Sequence, residues 1–181
     1  ARHILTISQA SKSQLVRRFP WLNAQDISVT YLGVNEVFHA PRDPALVRRF
    51  REKFRLGDDR FILYVGTDRP HKNLTRLLEA YARLRQEAVP HKLLLVGAVS
   101  GNGALRQAVT RLGLDGEVRR LGYLSDEELP LAYQASEVLA FCSLSEGFGM
   151  PLGEAMASGL PLVASNMGAV AEIAGDGAVL V

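Results

Sequence analysis

A doubly wound, Rossmann-like α/β domain on a parallel sheet is the fold this sequence predicts, and three observations carry the prediction. From Arg60 onward, short apolar runs bounded by glycine alternate with stretches of about 10–15 residues whose apolar positions recur at helical spacing. The runs are apolar at consecutive positions, as in strands buried on both faces. Apolar residues make up 48% of the chain and charged residues 22%, the balance of a protein with a core; disordered, collagen-like and low-complexity classes are excluded.

The elements follow in order. Phe61–Val65 is a strand ended by Gly66. Asn73 reads as the N-cap of a helix with Leu74, Leu77, Leu78, Tyr81 and Leu84 on one face. Leu93–Val96, ended by Gly97, is the second strand, and Ala104–Leu112, stopped by Gly113, the second helix. Val118–Gly122 is a third, less apolar strand. Ser125 with Glu128 three positions on forms a capping box for a helix reaching about Ser136. Val138–Cys142 is the fourth strand. Pro151 suits the first turn of a fourth helix, ended by Gly159. Leu162–Ala164 is the fifth strand, and Ala178–Val181 starts a sixth. Right-handed crossovers then give a parallel sheet.

The first 55 residues differ. Ile4–Ile7 reads as a strand, Ser11–Phe19 as a short helix and Ile27–Tyr31 as another strand, too little for a core of their own. This segment carries 10 Lys/Arg against 4 Asp/Glu, whereas the remainder carries 11 against 15. That charge step suggests a boundary near residue 55. Pro41 and Pro44 mark the crossing, and a helix over Ala45–Arg55 leads into the main domain. The expected organisation is residues 1–40 as the tail of a preceding domain plus linker, and 41–181 as the Rossmann-like domain.

Several function classes are excluded or disfavoured. No apolar run approaches the ~20 residues of a membrane helix. No dense basic run with interleaved aromatics accompanies the charge, so no nucleic-acid partner is expected. The single cysteine, Cys142, permits no internal disulfide, points to a reducing compartment and lies inside a strand, where a buried thiol outweighs a nucleophile. Gly147-Phe148-Gly149 is followed by Gly153, one residue too far for a dinucleotide fingerprint, and no Walker motif or Gly-x-Ser-x-Gly elbow occurs. The four histidines are scattered, so no metal site is expected.

Ligands of open parallel sheets bind at the carboxyl ends of the strands. After the first strand comes Gly66-Thr67-Asp68-Arg69-Pro70-His71-Lys72-Asn73. Arg69 and Lys72 there sit before a helix N-terminus, where cations are unfavourable unless an anion joins them. After the fourth strand comes Ser145-Glu146-Gly147-Phe148-Gly149-Met150-Pro151-Leu152-Gly153-Glu154. Its glycines bare the backbone, Pro151 starts a helix with free N–H groups, and a carboxylate stands on each side. Paired carboxylate oxygens suit sugar hydroxyls. Singly, Glu154 is an ordinary first-turn glutamate and Phe148 a core anchor; the combination is what points to a ligand.

The segment Glu146-Gly-Phe-Gly-Met-Pro-Leu-Gly-Glu154 and the residues that follow it resemble the Glu-x7-Glu segment of retaining glycosyltransferases of family 4, also called group 1. Tyr64-Val-Gly-Thr-Asp-Arg-Pro-His-Lys72-Asn-Leu resembles their phosphate-binding loop, and Leu121-Gly-Tyr-Leu-Ser-Asp-Glu-Glu-Leu the stretch before their base-contacting turn. Residues 4–13 and 29–35 are similar to the end of the family's first domain and its linker.

The resemblance implies the GT-B fold, two Rossmann-like domains facing across a cleft. The chain is then the C-terminal, donor-binding half, with most of the acceptor domain and the C-terminal helical tail outside it. It further implies that Lys72, helped by Arg69, holds the diphosphate, and that Glu146 binds donor-sugar hydroxyls. Backbone N–H groups of Phe148, Gly149 and Met150 would bind sugar and phosphates, with Gly66, Gly147 and Pro151 bordering the donor. Glu154 would bind the ribose, and Tyr123 and Leu124 would border the base through backbone. Many family members carry arginine where this chain has Thr67 or His71, which leaves Arg69 as the substitute. The implied partners are a GDP-linked (GDP-mannose) or UDP-linked sugar and a saccharide or lipid-linked acceptor, in polysaccharide or glycolipid biosynthesis. No metal or cofactor is expected. The setting is cytoplasmic, with any contact at the inner membrane face made through the missing domain. The fragment alone would bind nucleotide without turnover. The alternatives are a nucleotide-sugar epimerase of the same fold and a non-catalytic nucleotide-sugar-binding module.

Overall fold

The protein is described here from a computed structural model, which covers residues 2–39, 41, 43–98 and 103–181. Fifteen helices and strands follow in chain order: β1 (Ile4–Thr6), α1 (Gln9–Arg18), β2 (Ile27–Val29), α2 (Pro44–Lys53), β3 (Phe61–Val65), α3 (Leu74–Gln86), β4 (Lys92–Val96), α4 (Gly103–Arg111), β5 (Val118–Gly122), α5 (Leu129–Gln134), β6 (Val138–Phe141), α6 (Met150–Ala157), β7 (Leu162–Ala164), α7 (Gly168–Ala174) and β8 (Val179–Leu180). Single 3-10 turns lie between some of them. Among the described residues no helix is long and apolar enough to cross a membrane.

Strands β3 to β8 form one parallel sheet in the order β5-β4-β3-β6-β7-β8. The alternation of side chains along each strand divides its apolar run between two cores. Phe61, Leu63, Val65, Leu94 and Val96 face α2, α5, α6 and α7; Tyr64, Leu93 and Leu95 face α3 and α4. Helices thus cover both faces, which is why the strands read as continuous apolar runs. The two edge strands, β5 and β8, bury no residue completely.

The expected elements are present with shifted ends. α1 begins at Gln9 because Ser8, whose Oγ accepts the Ser11 N–H, supplies the N-cap. Asn73 does not act as a side-chain cap: it lies in the left-handed region (φ +57°) and joins the 3-10 turn Pro70–Lys72 to α3. The Ser125–Glu128 box forms only by half. Glu128 accepts the Ser125 N–H at 3.4 Å, while the Ser125 hydroxyl turns to Glu127 and the α-helix starts at Leu129. β6 stops at Phe141, one residue short of Cys142. Helix α7 was not anticipated; it is seven residues of mainly small side chains with no side-chain bond at its N-cap, Met167.

β1 and β2 pair in parallel as a separate two-stranded sheet, and α1 buries no residue completely. The charge step near residue 55 falls inside the large packed unit, since Val47, Phe50 and Leu56 belong to its core. Arg51 of α2 fixes the helix there by donating to the carbonyls of Gly57, Asp59 and Ala135. The segment before α2 is anchored too: Phe38 is buried and meets Tyr133 edge to face at 5.6 Å between ring centroids.

Candidate functional site

The sheet order reverses between β3 and β6, the first strand of each half, so the loops that follow these two strands face one another. Backbone bonds tie the loops together: Leu144 N–H donates to the His71 carbonyl at 2.7 Å, and Cys142 Sγ lies 3.5 Å from the Lys72 carbonyl oxygen. Burial pushes the Cys142 thiol up to about 11, so it stays protonated and serves the packing.

Glycines let these loops crowd the strand ends. A Cβ at Gly97 would lie 2.2 Å from the Gly66 carbonyl oxygen, and its φ of +108° suits glycine alone. The Gly66 N–H donates to the Val96 carbonyl and the Gly97 N–H to that of Gly122, so three strand-ending glycines sit side by side.

Lys72 and Glu146 meet where the two loops converge. Lys72 Nζ is 2.6 Å from Glu146 Oε1, with the side chains 15% and 12% exposed. The ammonium also lies 5.5 Å from the centroid of the Phe141 ring. Arg69 is exposed at the start of the 3-10 turn, and its backbone N–H reaches Thr67 Oγ1 at 3.4 Å. Tyr64 hydroxyl closes the same turn from below by donating to the Thr67 carbonyl at 2.5 Å; burial raises its pKa, with the nearby Glu146 and Asp68 charges adding to the effect.

The glycine-rich stretch continues into α6. Gly149 occupies the N-cap position in the left-handed region (φ +96°), and Pro151 falls in the first turn. In the first turn of α6 Pro151 carries no N–H and the Leu152 N–H donates to the Gly149 carbonyl at 2.9 Å, so the N–H of Met150 is the one this turn offers to a ligand. Phe148 is a core anchor by its side chain, and only its backbone faces outward. Glu154, in the second turn, accepts a 2.6 Å hydrogen bond from the buried Tyr133 hydroxyl of α5. Burial raises the Glu154 carboxyl above the ordinary glutamate range, and the Tyr133 bond opposes that rise. Tyr133 is raised well above its ordinary value by burial and by the Glu154 charge, so its proton stays on the hydroxyl and points at Glu154.

At the end of β5, Tyr123 stands 85% exposed while the Leu124 side chain is buried in the core, which leaves Leu124 only its backbone to offer a ligand. The geometry therefore brings Lys72 and Glu146 into direct contact and sets Gly147 to Glu154 beside them. It leaves Arg69 on the rim and Tyr123 with Leu124 two strands away. Sequence reasoning missed Tyr133. Nothing but its place in an apolar helix marked it, and only the fold aims its hydroxyl at Glu154. Among the described residues no group of three or more His, Cys, Asp or Glu could hold a metal ion.

Comparison with known proteins gives a consistent picture. The profile of the family described as "Glycosyl transferases group 1" matches residues 47–181. "O-antigen chain mannosyltransferase B" of Escherichia coli is 37% identical over 178 residues, covering 97% of this chain and 46% of that protein. "MMP alpha-(1->4)-mannosyltransferase" of Mycolicibacterium hassiacum is 37% identical over 172 residues, 95% of this chain and 39% of that protein. Among solved structures, Anabaena HepE in complex with UDP superposes with a TM-score of 0.85 at 25% identity, covering 100% of this chain and 50% of that one. The chain spans about half the length of the curated relatives and structures it matches.

Proposed function

This chain belongs to the group 1 glycosyl transferases, and from that premise we propose that it is the donor-binding half of a retaining, GT-B-type enzyme that moves a sugar from a nucleotide sugar to an acceptor hydroxyl. One observation carries the reading. At the switch point of the sheet, a lysine–glutamate pair stands beside a glycine-capped helix N-terminus, where a diphosphate-linked sugar finds a cation, free N–H groups and a carboxylate within one site.

In this reading the Lys72–Glu146 ion pair is a resting arrangement. The donor replaces it: Lys72, with Arg69 from the rim, turns to the diphosphate, and Glu146 accepts from sugar hydroxyls. Gly66, Gly147 and Pro151 border the donor, and the N–H groups of Phe148, Gly149 and Met150 reach its phosphates and sugar. Glu154, steadied by Tyr133, takes the ribose hydroxyls, and the backbone at Tyr123 and Leu124 borders the base. As the bond from the anomeric carbon to the phosphate oxygen breaks, negative charge grows on the departing diphosphate, and Lys72, Arg69 and the Met150 amide stabilise it. The acceptor hydroxyl attacks the same face, its proton passes to the departing phosphate oxygen, and the configuration is retained. The relatives' names support mannose, which pairs with GDP-mannose as donor; the UDP bound by HepE supports a UDP-sugar as the other choice. Because these two curated relatives, among others, are named transferases, an acceptor is proposed and epimerisation is disfavoured. Polysaccharide or glycolipid assembly, with peripheral contact at a membrane through the other half, completes the proposal.

The test is calorimetric titration of this chain with UDP-, GDP- and ADP-sugars, followed by an assay of the two-domain enzyme with and without acceptor. Saturable binding of one nucleotide class and acceptor-dependent release of the diphosphate are expected. No response to any nucleotide overturns the reading, and sugar interconversion without acceptor replaces it with an epimerase.

A further inference from the structure

The glycine loop is held from outside the large sheet. The Gly147 carbonyl, between Glu146 and Phe148, accepts from Ser8 Oγ at 2.7 Å and from Ser11 Oγ at 3.2 Å, across more than 130 residues of sequence. Ser8 is 0% exposed, and its Oγ also accepts the Ser11 N–H at 3.0 Å. Its place is fixed in turn from the other side. The N–H groups of Gln9 and Ala10, at the start of α1, donate to the two carboxylate oxygens of Glu172 on α7, at 2.7 and 2.8 Å. Tyr31 lies near Glu172, and its ring is 6.4 Å from that of Phe148.

A peptide unit is planar, and in the trans form its C=O and N–H point in opposite directions. The Gly147 carbonyl and the Phe148 N–H belong to one such unit. Two hydroxyls that hold the carbonyl against α1 therefore aim the Phe148 N–H the other way, outward from α1. An unanchored Glu-Gly-Phe-Gly stretch is free to turn this peptide over, since glycine imposes little restraint on its own torsions.

Resting on the donor-site reading above, we propose that Ser8 and Ser11 are positioning residues for the donor loop: by anchoring the Gly147 carbonyl they orient the Phe148 N–H toward the donor phosphates, so the N-terminal segment completes a site that the large sheet does not build alone. Donor binding and the placement of the preceding domain are then coupled through α1.

The experiment uses the whole 181-residue chain and four forms of it: wild type, Ser11→Ala, Ser8→Ala/Ser11→Ala and Ser11→Thr. Two quantities are read, the NMR order parameter of the Phe148 amide and the affinity for UDP and for GDP. In the wild type the amide is expected in the rigid range, about 0.85, and in the double variant at about 0.6 or below. Affinity for whichever diphosphate binds is expected to fall about tenfold in the double variant and less in Ser11→Ala, which keeps the α1 cap on Ser8. Ser11→Thr, which keeps the hydroxyl, is expected to restore both. A merely structural role loosens α1 and lowers the melting temperature without moving the Phe148 amide. An unchanged order parameter, or a mobile amide with unchanged affinity, overturns the inference. Failure of the wild type to bind either nucleotide overturns instead the functional reading on which it rests.

Discussion

The segment over residues 2–39 and the β3–β8 unit are built from the same local parts, a strand, a helix and a parallel strand, yet they are held by opposite means. In the large unit β3 and β4 are sealed on both faces by apolar side chains, and β6 and β7 bury one face in the larger core. In the small one, α1 buries nothing completely, and Leu5 and Trp21 stand 71% and 78% exposed. What fixes the small unit is mainly polar: Glu172 at the α1 N-terminus and the Ser8 and Ser11 hydroxyls on Gly147, with Phe38 and Val34 against the core and the Tyr31 ring near Phe148. A core determines where a site stands; a few directed hydrogen bonds determine how one peptide in it is turned.

Breaking the comparison is most direct at the sheet's switch point. Replacing Lys72 by Ala should lower kcat of the two-domain enzyme by about 10²–10³, the usual cost of removing one preorganised electrostatic group, as read by diphosphate release. Gly97→Ala should damage the large unit as a whole. With a Cβ 2.2 Å from the Gly66 oxygen and a φ of +108°, the loss should be roughly 3 kcal/mol or more in a denaturant titration. Substitution of Phe for Tyr133 removes only the hydroxyl that steadies Glu154. About fivefold weaker nucleotide binding is expected, smaller again for 2′-deoxyribose ligands, which give Glu154 fewer hydroxyls.

The two units should also part company with pH. For Glu172, burial acts to raise the carboxyl, but the Gln9 and Ala10 N–H groups and the Tyr31 hydroxyl together bring it below its ordinary value. Its contribution is therefore complete above the ordinary glutamate value and fades as pH falls through the depressed one. Acidification should release α1 before the large sheet melts, visible as NMR changes at residues 9–18. Glu154 behaves oppositely: its carboxyl is raised by burial, so nucleotide affinity should start to fall on acidification above the ordinary glutamate range. Tyr133→Phe, which removes the bond opposing that rise, should move this limb higher. The smallest effect belongs to Trp21→Ala, expected within about 0.5 kcal/mol in thermal unfolding because the ring is exposed.

Much of this was legible from residue types and their order. The strands of the large sheet announced themselves because burial on both faces demands consecutive apolar residues, and Gly66, Gly97 and Gly122 marked their ends. The Gly-x-Gly, proline and flanking glutamates of residues 146–154 marked the loop beside α6. Helix α7 was not legible, since its buried residues Ala169, Val170 and Ala174 are small, and Ile173 alone is too little to set a period. Asn73 looked like a cap because its type favours one; it is a left-handed joint because the chain must turn from a 3-10 coil into α3 there.

Local sequence by itself determined the class of fold, the order of the strands in the large sheet's segment and the family, because periodicity, turn chemistry and the Glu-x7-Glu spacing are properties of neighbours along the chain. Only the tertiary structure decided that Lys72 pairs with Glu146, that Tyr133 holds Glu154, and that Ser8 and Ser11 hold Gly147. Those contacts join residues 21 to 139 positions apart. Hydrogen bonds and ion pairs form only within about 3 Å, and nothing in the spacing of the partners along the chain says which ones the packed core will bring that close.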